Sequence, residues 1–207
     1  MTTSFASNSC LSIWMAASDA MPLDLPDDAR VFEVGCAEED WLGPIHALHP
    51  GWQLSGIDWR RCHERPCHVI RGDVLSMAPP DEPYDLIACI SSLEHLGLGH
   101  YESDPLDPDG DMHLMALAAR WLRPGGYLYA DVPYNPDQYR VVADDYREYD
   151  DTALGRRLSA PGLRCAWRAY ADLSGNLIPV PFPAKVQDGY ERFQTYVASL
   201  WQREGHA

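Results

Sequence analysis

Val31-Phe32-Glu33-Val34-Gly35-Cys36-Ala37-Glu38-Glu39-Asp40 is the stretch that decides the fold. It begins with a short apolar run rich in β-branched and aromatic residues, which predicts a buried parallel strand. Glu33 is then expected in the crevice at the carboxyl edge of the sheet, where open α/β folds bind ligands. Gly35 can adopt a positive φ, and without a side chain it lets a ligand approach the backbone. The stretch therefore predicts a first strand followed by a ligand-binding turn.

Further strand-like segments follow along the chain. They lie at residues 54–58, 69–74 and 84–90, and residues 122–128 are expected to form the turn into a fifth strand at 127–132. The second strand ends in Asp58 and the third in Gly72-Asp73, so three successive strands carry an acid at or near their carboxyl ends. The order and spacing of these pieces resemble the class I S-adenosylmethionine-dependent methyltransferases over about residues 30–135.

The resemblance implies an α/β fold with a doubly wound, Rossmann-like, mostly parallel sheet and a C-terminal antiparallel hairpin. It also implies S-adenosylmethionine as the cofactor, with Asp58 accepting the ribose hydroxyls, Asp73 accepting the adenine amino group and Ser91-Ser92 at the methionine end. The cofactor-binding residues that it predicts are Glu33, Gly35, Cys36, Ala37, Asp58, Trp59, Asp73, Val74, Ser91 and Ser92. Two of these have alternative interpretations, because Trp59 suits a surface aromatic and Asp73 suits a helix N-cap.

The turn after the first strand departs from the family pattern. The usual glycines two and four residues beyond Gly35 are replaced by Ala37 and Glu39. A nicotinamide dinucleotide fingerprint would need glycine at positions 37 and 40, where Ala37 and Asp40 stand. The sequence therefore argues against a nucleotide-binding oxidoreductase.

The acceptor side is expected after the fourth and fifth strands. Glu94-His95 resembles a pair that many small-molecule methyltransferases carry, and the resemblance predicts Glu94, His95 and Tyr134 as catalytic residues. His95 titrates near neutrality and is the candidate general base, with a structural role capping the strand as the alternative. The predicted substrate residues are His100, Tyr101, Asp131 and Tyr139.

The run from Glu94 to Asp111 resembles a methyltransferase-like group first catalogued as a domain of unknown function. It suggests a rigid loop over the pocket mouth, with Asp111 capping the next helix. Some relatives bind a metal through an additional acid three residues before the glutamate, but Ser91 stands there. Cys62-His63 and Cys67-His68 match no tight zinc pattern, so no metal site is expected.

The net charge of −15 is unevenly distributed, because residues 81–151 hold 16 acids and 4 bases. An acidic surface repels nucleic acid and anionic membranes and attracts cations, although acids can also serve solubility alone. The six cysteines suit reduced thiols better than a disulfide framework. A chain of 207 residues without a membrane span or signal peptide suggests one cytoplasmic domain over 1–207, with a linker and leading helix at 1–28, a cofactor core at 30–135 and an acceptor side at 136–207.

The remaining segments receive local predictions. Residues 8–20 favour a helix with Leu11, Trp14 and Met15 on one side, either flanking the cofactor pocket or packed on the sheet. The predictions for the rest of the chain are a helix or lid at 136–151, a hairpin at 163–172 and 176–180, and an amphipathic helix at 187–203 that packs on the sheet or joins a homodimer.

The sequence thus predicts methyl transfer from S-adenosylmethionine to nitrogen or oxygen of a small polar acceptor, such as an amine or an amino or hydroxy sugar. The alternative is a non-catalytic protein that binds S-adenosylmethionine or its demethylated product.

Overall fold

The computed structural model describes residues 7–37, 41–62, 67–99, 105–187 and 190–205. The helices are α1 (Ser7–Ser18), α2 (Leu42–Leu48), α3 (Gly110–Trp121) and α4 (Asp151–Arg157), with 3₁₀ helices at Val74–Ser76 and Leu93–His95. The strands are β1 (Arg30–Val34), β2 (Gln53–Asp58), β3 (His68–Arg71), β4 (Tyr84–Cys89), β5 (Leu122–Tyr134), β6 (Arg140–Val142), β7 (Tyr146–Glu148), β8 (Leu163–Asp172), β9 (Leu177–Ile178), β10 (Lys185–Gln187), β11 (Tyr190–Arg192) and β12 (Thr195–Arg203).

Eight of these strands form one mixed sheet in the order β3-β2-β1-β4-β5-β12-β8-β9. The first five strands in this order, β3, β2, β1, β4 and β5, run parallel to one another. The other three, β12, β8 and β9, pair antiparallel to their neighbours. The strand order reverses between β1 and β4, and open α/β sheets bind ligands at such a point, outside the carboxyl ends of the strands. The predicted fold class is confirmed.

Both faces of the sheet are buried. Phe32, Leu128 and Val197 belong to a core cluster that includes the apolar side of α3. On the opposite face, Trp14 of α1 contacts Trp41 and Tyr129 edge to face, with ring centroids 5.0 and 4.7 Å apart. The helix packs on the sheet, as one of the two sequence interpretations expected.

The buried face of α1 differs from the predicted one. Met15 was expected to lie beside Trp14, but its side chain is 41% exposed. Ile13 and Ala17 are fully buried and complete the packed face.

The predicted C-terminal helix is wrong, because Thr195–Arg203 is the strand β12 between β5 and β8. Val197 and Trp201 face one core cluster, and Tyr196 and Leu200 face the other. A strand buried on both faces shows no alternation of polar and apolar residues, so its apolar positions were mistaken for a helical pattern. The helix expected to join a homodimer therefore does not exist.

The predicted helix at 136–151 is also wrong, since β6 and β7 form an antiparallel hairpin there and α4 begins only at Asp151. The expected hairpin of β8 and β9 is present, and Asp172 accepts the amides of Ser174 and Asn176 in its turn. However, β12 rather than the returning strand β9 joins this hairpin to the parallel sheet. Of the helices in the described residues, none has the length and apolar character needed to cross a bilayer.

Candidate functional site

The turn after β1 packs tightly against the loop after β4. Gly35 has a φ of +86°, and its amide donates to the carbonyl of Ile57 at 2.9 Å. A Cβ added to Gly35 would lie 2.3 Å from the Cβ of Ser92, which is far inside van der Waals contact. The hydroxyl of Ser92 donates to the carbonyl of Val34 at 2.6 Å. Glycine is therefore required by both backbone conformation and packing, and this turn has a fixed shape.

Asp58 lies at the carboxyl end of β2 and holds this turn in place. Its Oδ2 accepts the backbone amide of Ala37 at 2.9 Å. Arg60 closes the other side, because its backbone amide and Nε donate to Oδ1 at 2.8 and 3.0 Å while Nη2 donates to Oδ2 at 3.0 Å. The Asp58 carboxylate is 3% exposed. A ligand group that binds this carboxylate must therefore displace part of the Arg60 contact, which the sequence pattern alone does not predict.

Asp73 performs the N-cap role that the sequence left as an alternative. Its Oδ1 accepts the amide of Leu75 at 2.9 Å and its Oδ2 accepts the hydroxyl of Ser76 at 2.7 Å. These bonds begin the 3₁₀ helix at Val74, whose side chain is buried in the core. A carboxylate oxygen can accept two bonds, so this capping leaves capacity for a ligand amino group.

Three other predicted cofactor residues lie around this edge of the sheet. Glu33 and Cys36 are fully buried, so their side chains lie beneath the crevice surface. Trp59 is half-buried, and its carbonyl accepts Nε of Arg71 at 3.3 Å. The structure thus brings the predicted set to one edge but leaves only part of it facing outward.

Asp131 lies beneath the turn after β4 rather than on the acceptor surface where it was expected. It is fully buried, accepts the amide of Ser91 at 2.6 Å and accepts the hydroxyl of Tyr129 at 3.1 Å. Ser91 has a φ of +45°, a conformation that costs free energy in a residue with a side chain. Asp131 therefore stabilises the strained turn at Ser91, which leads into the segment that carries Glu94.

Glu94 and His95 follow that turn in a 3₁₀ helix. Glu94 is buried and accepts the hydroxyl of Ser91 at 3.0 Å. His95 Nε2 lies 3.9 Å from Glu94 Oε1, and Nδ1 lies 2.7 Å from the carbonyl oxygen of Asp145 and 3.2 Å from its carboxylate. Because a carbonyl oxygen only accepts, Nδ1 carries the proton, and Nε2 is the basic nitrogen of the neutral ring.

The surrounding acids change the protonation of this pair. Burial alone would lower the pKa of His95, but the hydrogen bond to Asp145 and the charge of Glu94 outweigh it, so that the pKa is raised above its ordinary value. Burial raises the pKa of Glu94, against the opposing effect of His95. Both groups therefore hold a proton to higher pH than they do in water.

Three aromatic rings continue from His95. Tyr146 lies 6.2 Å from the His95 ring, Phe193 lies 5.8 Å from Tyr146, and Tyr196 lies 5.0 Å from Phe193, centroid to centroid. Tyr146 and Phe193 are half-buried. We call Tyr146, Phe193 and Tyr196 the aromatic wall. Phe193 was not among the predicted site residues, because the apolar spacing of its segment predicts a helix.

Two predicted tyrosines lie elsewhere. Tyr134 is buried in the core cluster on the α3 face, with its ring 5.1 Å from Tyr170, and burial raises its pKa further above the ordinary value. A phenol of raised pKa is a poor proton acceptor at neutral pH, which argues against a catalytic role. Tyr139 packs under the guanidinium of Arg157 at 5.3 Å and against Tyr149 rather than beside His95. The predicted His100 and Tyr101 lie outside the described residues.

Asp111 was expected to cap α3, but Asp109 holds the N-cap position and Asp111 is buried inside the first turn. Asp111 accepts two bonds from Arg157 at 2.7 and 2.9 Å and one from the hydroxyl of Tyr149 at 2.9 Å. An unpaired buried carboxylate would be costly, so this network ties the first turn of α3 to α4 and to Tyr149.

Arg147 links this network to His95. It is fully buried and donates to the carbonyls of Glu94 and Leu96 at 3.1 and 2.8 Å, on either side of His95. It also donates to the carbonyl of Pro108 at 3.0 Å. Arg147 therefore holds the backbone that positions His95.

The acidic segment at 81–151 is only partly a solvated surface. Several of its acids are buried and make internal bonds, namely Asp85, Glu94, Asp111, Asp131 and Glu148. Among the described residues, Glu94 and Asp145 lie against the His95 ring, and Glu148 Oε1 accepts the hydroxyl of Tyr146 at 3.5 Å. Glu94 and Asp145 are therefore the described acids placed to attract a cation beside His95.

Comparisons of the sequence with family models and of the fold with solved structures both find methyltransferases. A family model described as a methyltransferase domain matches residues 12–171. A search of curated proteins gives no match. Solved structures with the same fold include the 1,6-didemethyltoxoflavin-N1-methyltransferase of Burkholderia thailandensis, with 14% identity, 98% of this chain and 80% of that chain covered, and a TM-score of 0.64.

Two further solved structures resemble the chain. The N-methyltransferase NodS of Bradyrhizobium japonicum, in complex with S-adenosylhomocysteine, shares 13% identity over 98% of this chain and 89% of that chain, with a TM-score of 0.57. The CcbJ methyltransferase of Streptomyces caelestis shares 11% identity over 96% and 90%, with a TM-score of 0.58.

Proposed function

The chain belongs to the methyltransferase domain family and is an S-adenosylmethionine-dependent methyltransferase, and we propose that it methylates nitrogen or oxygen of a small polar acceptor. The observation that carries this proposal is the position of His95, held by Asp145 and Glu94 beside the aromatic wall. Ser91 and Ser92 connect this site to the turn after β1 at Gly35, which we call the cofactor turn. The hydroxyl of Ser91 donates to Glu94, and the hydroxyl of Ser92 donates to the carbonyl of Val34.

The residues around the turn fit the cofactor. The positive φ of Gly35 and its close packing on the side chain of Ser92 hold the turn after β1 against the turn after β4. We propose that Asp58 and Asp73 hold the ribose and adenine ends, and that the turn at Ser91 and Ser92 lies at the methionine end. The bound cofactor supplies an electrophilic methyl group on a sulfonium.

The chain then has two tasks, which are to align the acceptor and to remove its proton. The aromatic wall offers Tyr146 and Phe193 as surfaces for stacking. His95 accepts the proton of the acceptor at Nε2 while Nδ1 remains bonded to Asp145. Glu94 and Asp145 stabilise the imidazolium that forms, and Arg147 keeps the backbone of this segment in place.

We propose an amine as the acceptor, with an amino or hydroxy sugar as a second choice. An amine that enters as a cation is attracted by Glu94 and Asp145, and it must lose a proton before its nitrogen can attack the methyl group. Two structural relatives are named as N-methyltransferases, which supports nitrogen as the methylated atom. We further propose that the chain acts as one cytoplasmic domain without nucleic acid or membrane partners.

A non-catalytic binder of S-adenosylmethionine or its demethylated product is the second candidate. Formation of S-adenosylhomocysteine with a library of small amines, sugars and aromatic acceptors separates the two functions. Binding of the cofactor without turnover of any acceptor would favour the second candidate.

The acceptor's charge can be tested once the library identifies a substrate. If Glu94 and Asp145 attract a cationic acceptor, the KM of that acceptor should rise as ionic strength rises. Salt weakens electrostatic attraction over a Debye length of about 8–10 Å. The measurement is KM at several salt concentrations and constant pH. An apolar acceptor whose KM is independent of salt would contradict the cationic class, and methyl transfer itself would stand.

The cofactor assignment predicts that Asp58→Ala and Asp73→Ala each weaken binding of S-adenosylmethionine. A lost hydrogen bond of about 0.5–3 kcal/mol lowers affinity between several-fold and about a hundred-fold. Asp73→Ala also removes a cap, so Asp150→Ala is the matched control, because Asp150 caps α4 by accepting the amide of Ala153 at 2.6 Å.

Both cap variants should lose about 0.5–2 kcal/mol of unfolding free energy, whereas only Asp73→Ala should lose affinity. Titration calorimetry and thermal unfolding provide the two readouts. Unchanged binding by both Asp58→Ala and Asp73→Ala would remove the cofactor assignment.

A further inference from the structure

Two cysteines meet beside the cofactor turn. The Sγ atoms of Cys36 and Cys62 lie 3.7 Å apart. Cys36 follows Gly35 directly and is buried, whereas Cys62 is half-buried and lies two residues beyond Arg60. Neither thiol has a task in the methyl transfer proposed above, so their contact requires another explanation.

We propose that Cys36 and Cys62 form a reversible disulfide that controls access of the cofactor to Asp58. A disulfide needs a sulfur separation of about 2.05 Å, so the two atoms must approach by less than the width of one atom. Cys62 lies in the segment after β2, outside the regular sheet, where a side-chain rotation and a small backbone shift can provide this approach.

A low-molecular-weight disulfide, such as oxidised glutathione, is the oxidant that this chemistry requires. The more exposed Cys62 thiolate attacks one sulfur of the oxidant, forms a mixed disulfide and expels one thiolate. The Cys36 thiolate then attacks the sulfur of Cys62, forms the internal bond and expels the second thiolate. The two protein thiols are oxidised, the oxidant is reduced to two thiols, and each protein proton ends on a released thiol.

The second step should be the slower one. Burial, together with the charge of Glu33, raises the pKa of the Cys36 thiol far above its ordinary value. Since the thiolate is the nucleophile, closure of the internal bond should become faster as pH rises.

The consequence for the cofactor follows from the residues near the two cysteines. Ala37 follows Cys36 directly, Arg60 precedes Cys62 by two residues, and both donate to the carboxylate of Asp58. A bond between Cys36 and Cys62 restrains the two segments at this closed arrangement and holds Arg60 over the carboxylate. This effect on affinity rests on the proposed role of Asp58 as the ribose acceptor.

The disulfide itself is tested by incubating the full chain with defined ratios of reduced and oxidised glutathione, followed by alkylation and peptide mapping. We expect a peptide pair linked through Cys36 and Cys62 that reductant releases. Cys62→Ser should abolish the link, whereas Cys165→Ser should retain it, because Cys165 is exposed on β8. A mixed glutathione adduct alone, or a link between Cys62 and Cys67, would overturn the proposal.

Calorimetric titration with S-adenosylmethionine then compares the reduced and oxidised protein. Oxidation should weaken binding by about ten- to a hundred-fold, as loss of a charge-assisted bond does, and reductant should restore it. Binding by Cys62→Ser should not respond to the oxidant. Equal affinity of the linked and the reduced protein for S-adenosylmethionine would refute the control of access. Failure of the reduced protein to bind would refute the assignment of Asp58 as a cofactor residue. In that case the peptide map alone decides whether the disulfide forms.

Discussion

Replacing Gly35 with valine is expected to abolish binding of S-adenosylmethionine. Gly35 has a φ of +86°, which a β-branched residue adopts only with strain. A Cβ there would also lie 2.3 Å from the Cβ of Ser92, so the turn and the loop after β4 must separate. Because both segments are proposed to hold the cofactor, one substitution should disturb the site on two sides, and we expect affinity too low to measure by calorimetry.

Gly162→Val is the matched control for this variant. Gly162 has a φ of +82°, but a Cβ there meets no atom within 4 Å. It therefore reports backbone strain without the clash, and it should lower stability by about 1–3 kcal/mol while affinity remains unchanged. Gly35→Ala tests the clash with the smallest side chain if the valine variant does not fold. A folded Gly35 variant that binds as tightly as the wild type would show that this turn is not the cofactor site.

The second large effect is expected from His95→Ala. General-base catalysis contributes about 10²–10⁴-fold to rate, so kcat should fall by that range. Affinity for S-adenosylmethionine should change little, because His95 lies on the acceptor side of Ser91. His113→Ala is the matched control, since His113 Nδ1 also pairs with an aspartate, Asp107 at 2.6 Å, away from the aromatic wall. Equal kcat values for His95→Ala and the wild type would assign His95 a structural role.

The pH dependence follows from the raised pKa of His95. A general base acts in its neutral form, so kcat should rise with pH through a value above the ordinary ~6.5, and this limb should vanish in His95→Ala. The same shift stabilises the folded chain below pH ~6.5, and the stabilisation is lost as pH rises through the folded-state pKa. The two trends oppose each other, which separates a catalytic from a stability effect.

The edge of the sheet at which the acidic strand ends meet could be predicted from the sequence, because parallel strands end on one side of a sheet. Glu33, Asp58 and Asp73 each lie at or near a strand end, and the topology brings these ends together whatever the loops do. Strands buried on both faces are also recognisable as short apolar runs when glycine and acids mark their ends. These features are local in the sequence.

The contacts that define the proposed acceptor side are not local. His95 meets Asp145 across 50 residues, and Arg147 reaches Glu94 across 53. Phe193 joins Tyr146 only because β12 enters the sheet between β5 and β8. Such partners depend on tertiary topology, so a short stretch of sequence cannot predict them.

The most direct test is incubation of the wild-type chain with S-adenosylmethionine carrying a deuterated methyl group and the acceptor library. Methyl transfer predicts equimolar amounts of S-adenosylhomocysteine and of an acceptor that carries the label on nitrogen or oxygen, as read by mass spectrometry. The Gly35→Val and His95→Ala variants should form neither product at the wild-type rate. Tight binding of S-adenosylmethionine by the wild type with no labelled acceptor and no S-adenosylhomocysteine would contradict catalysis by this chain.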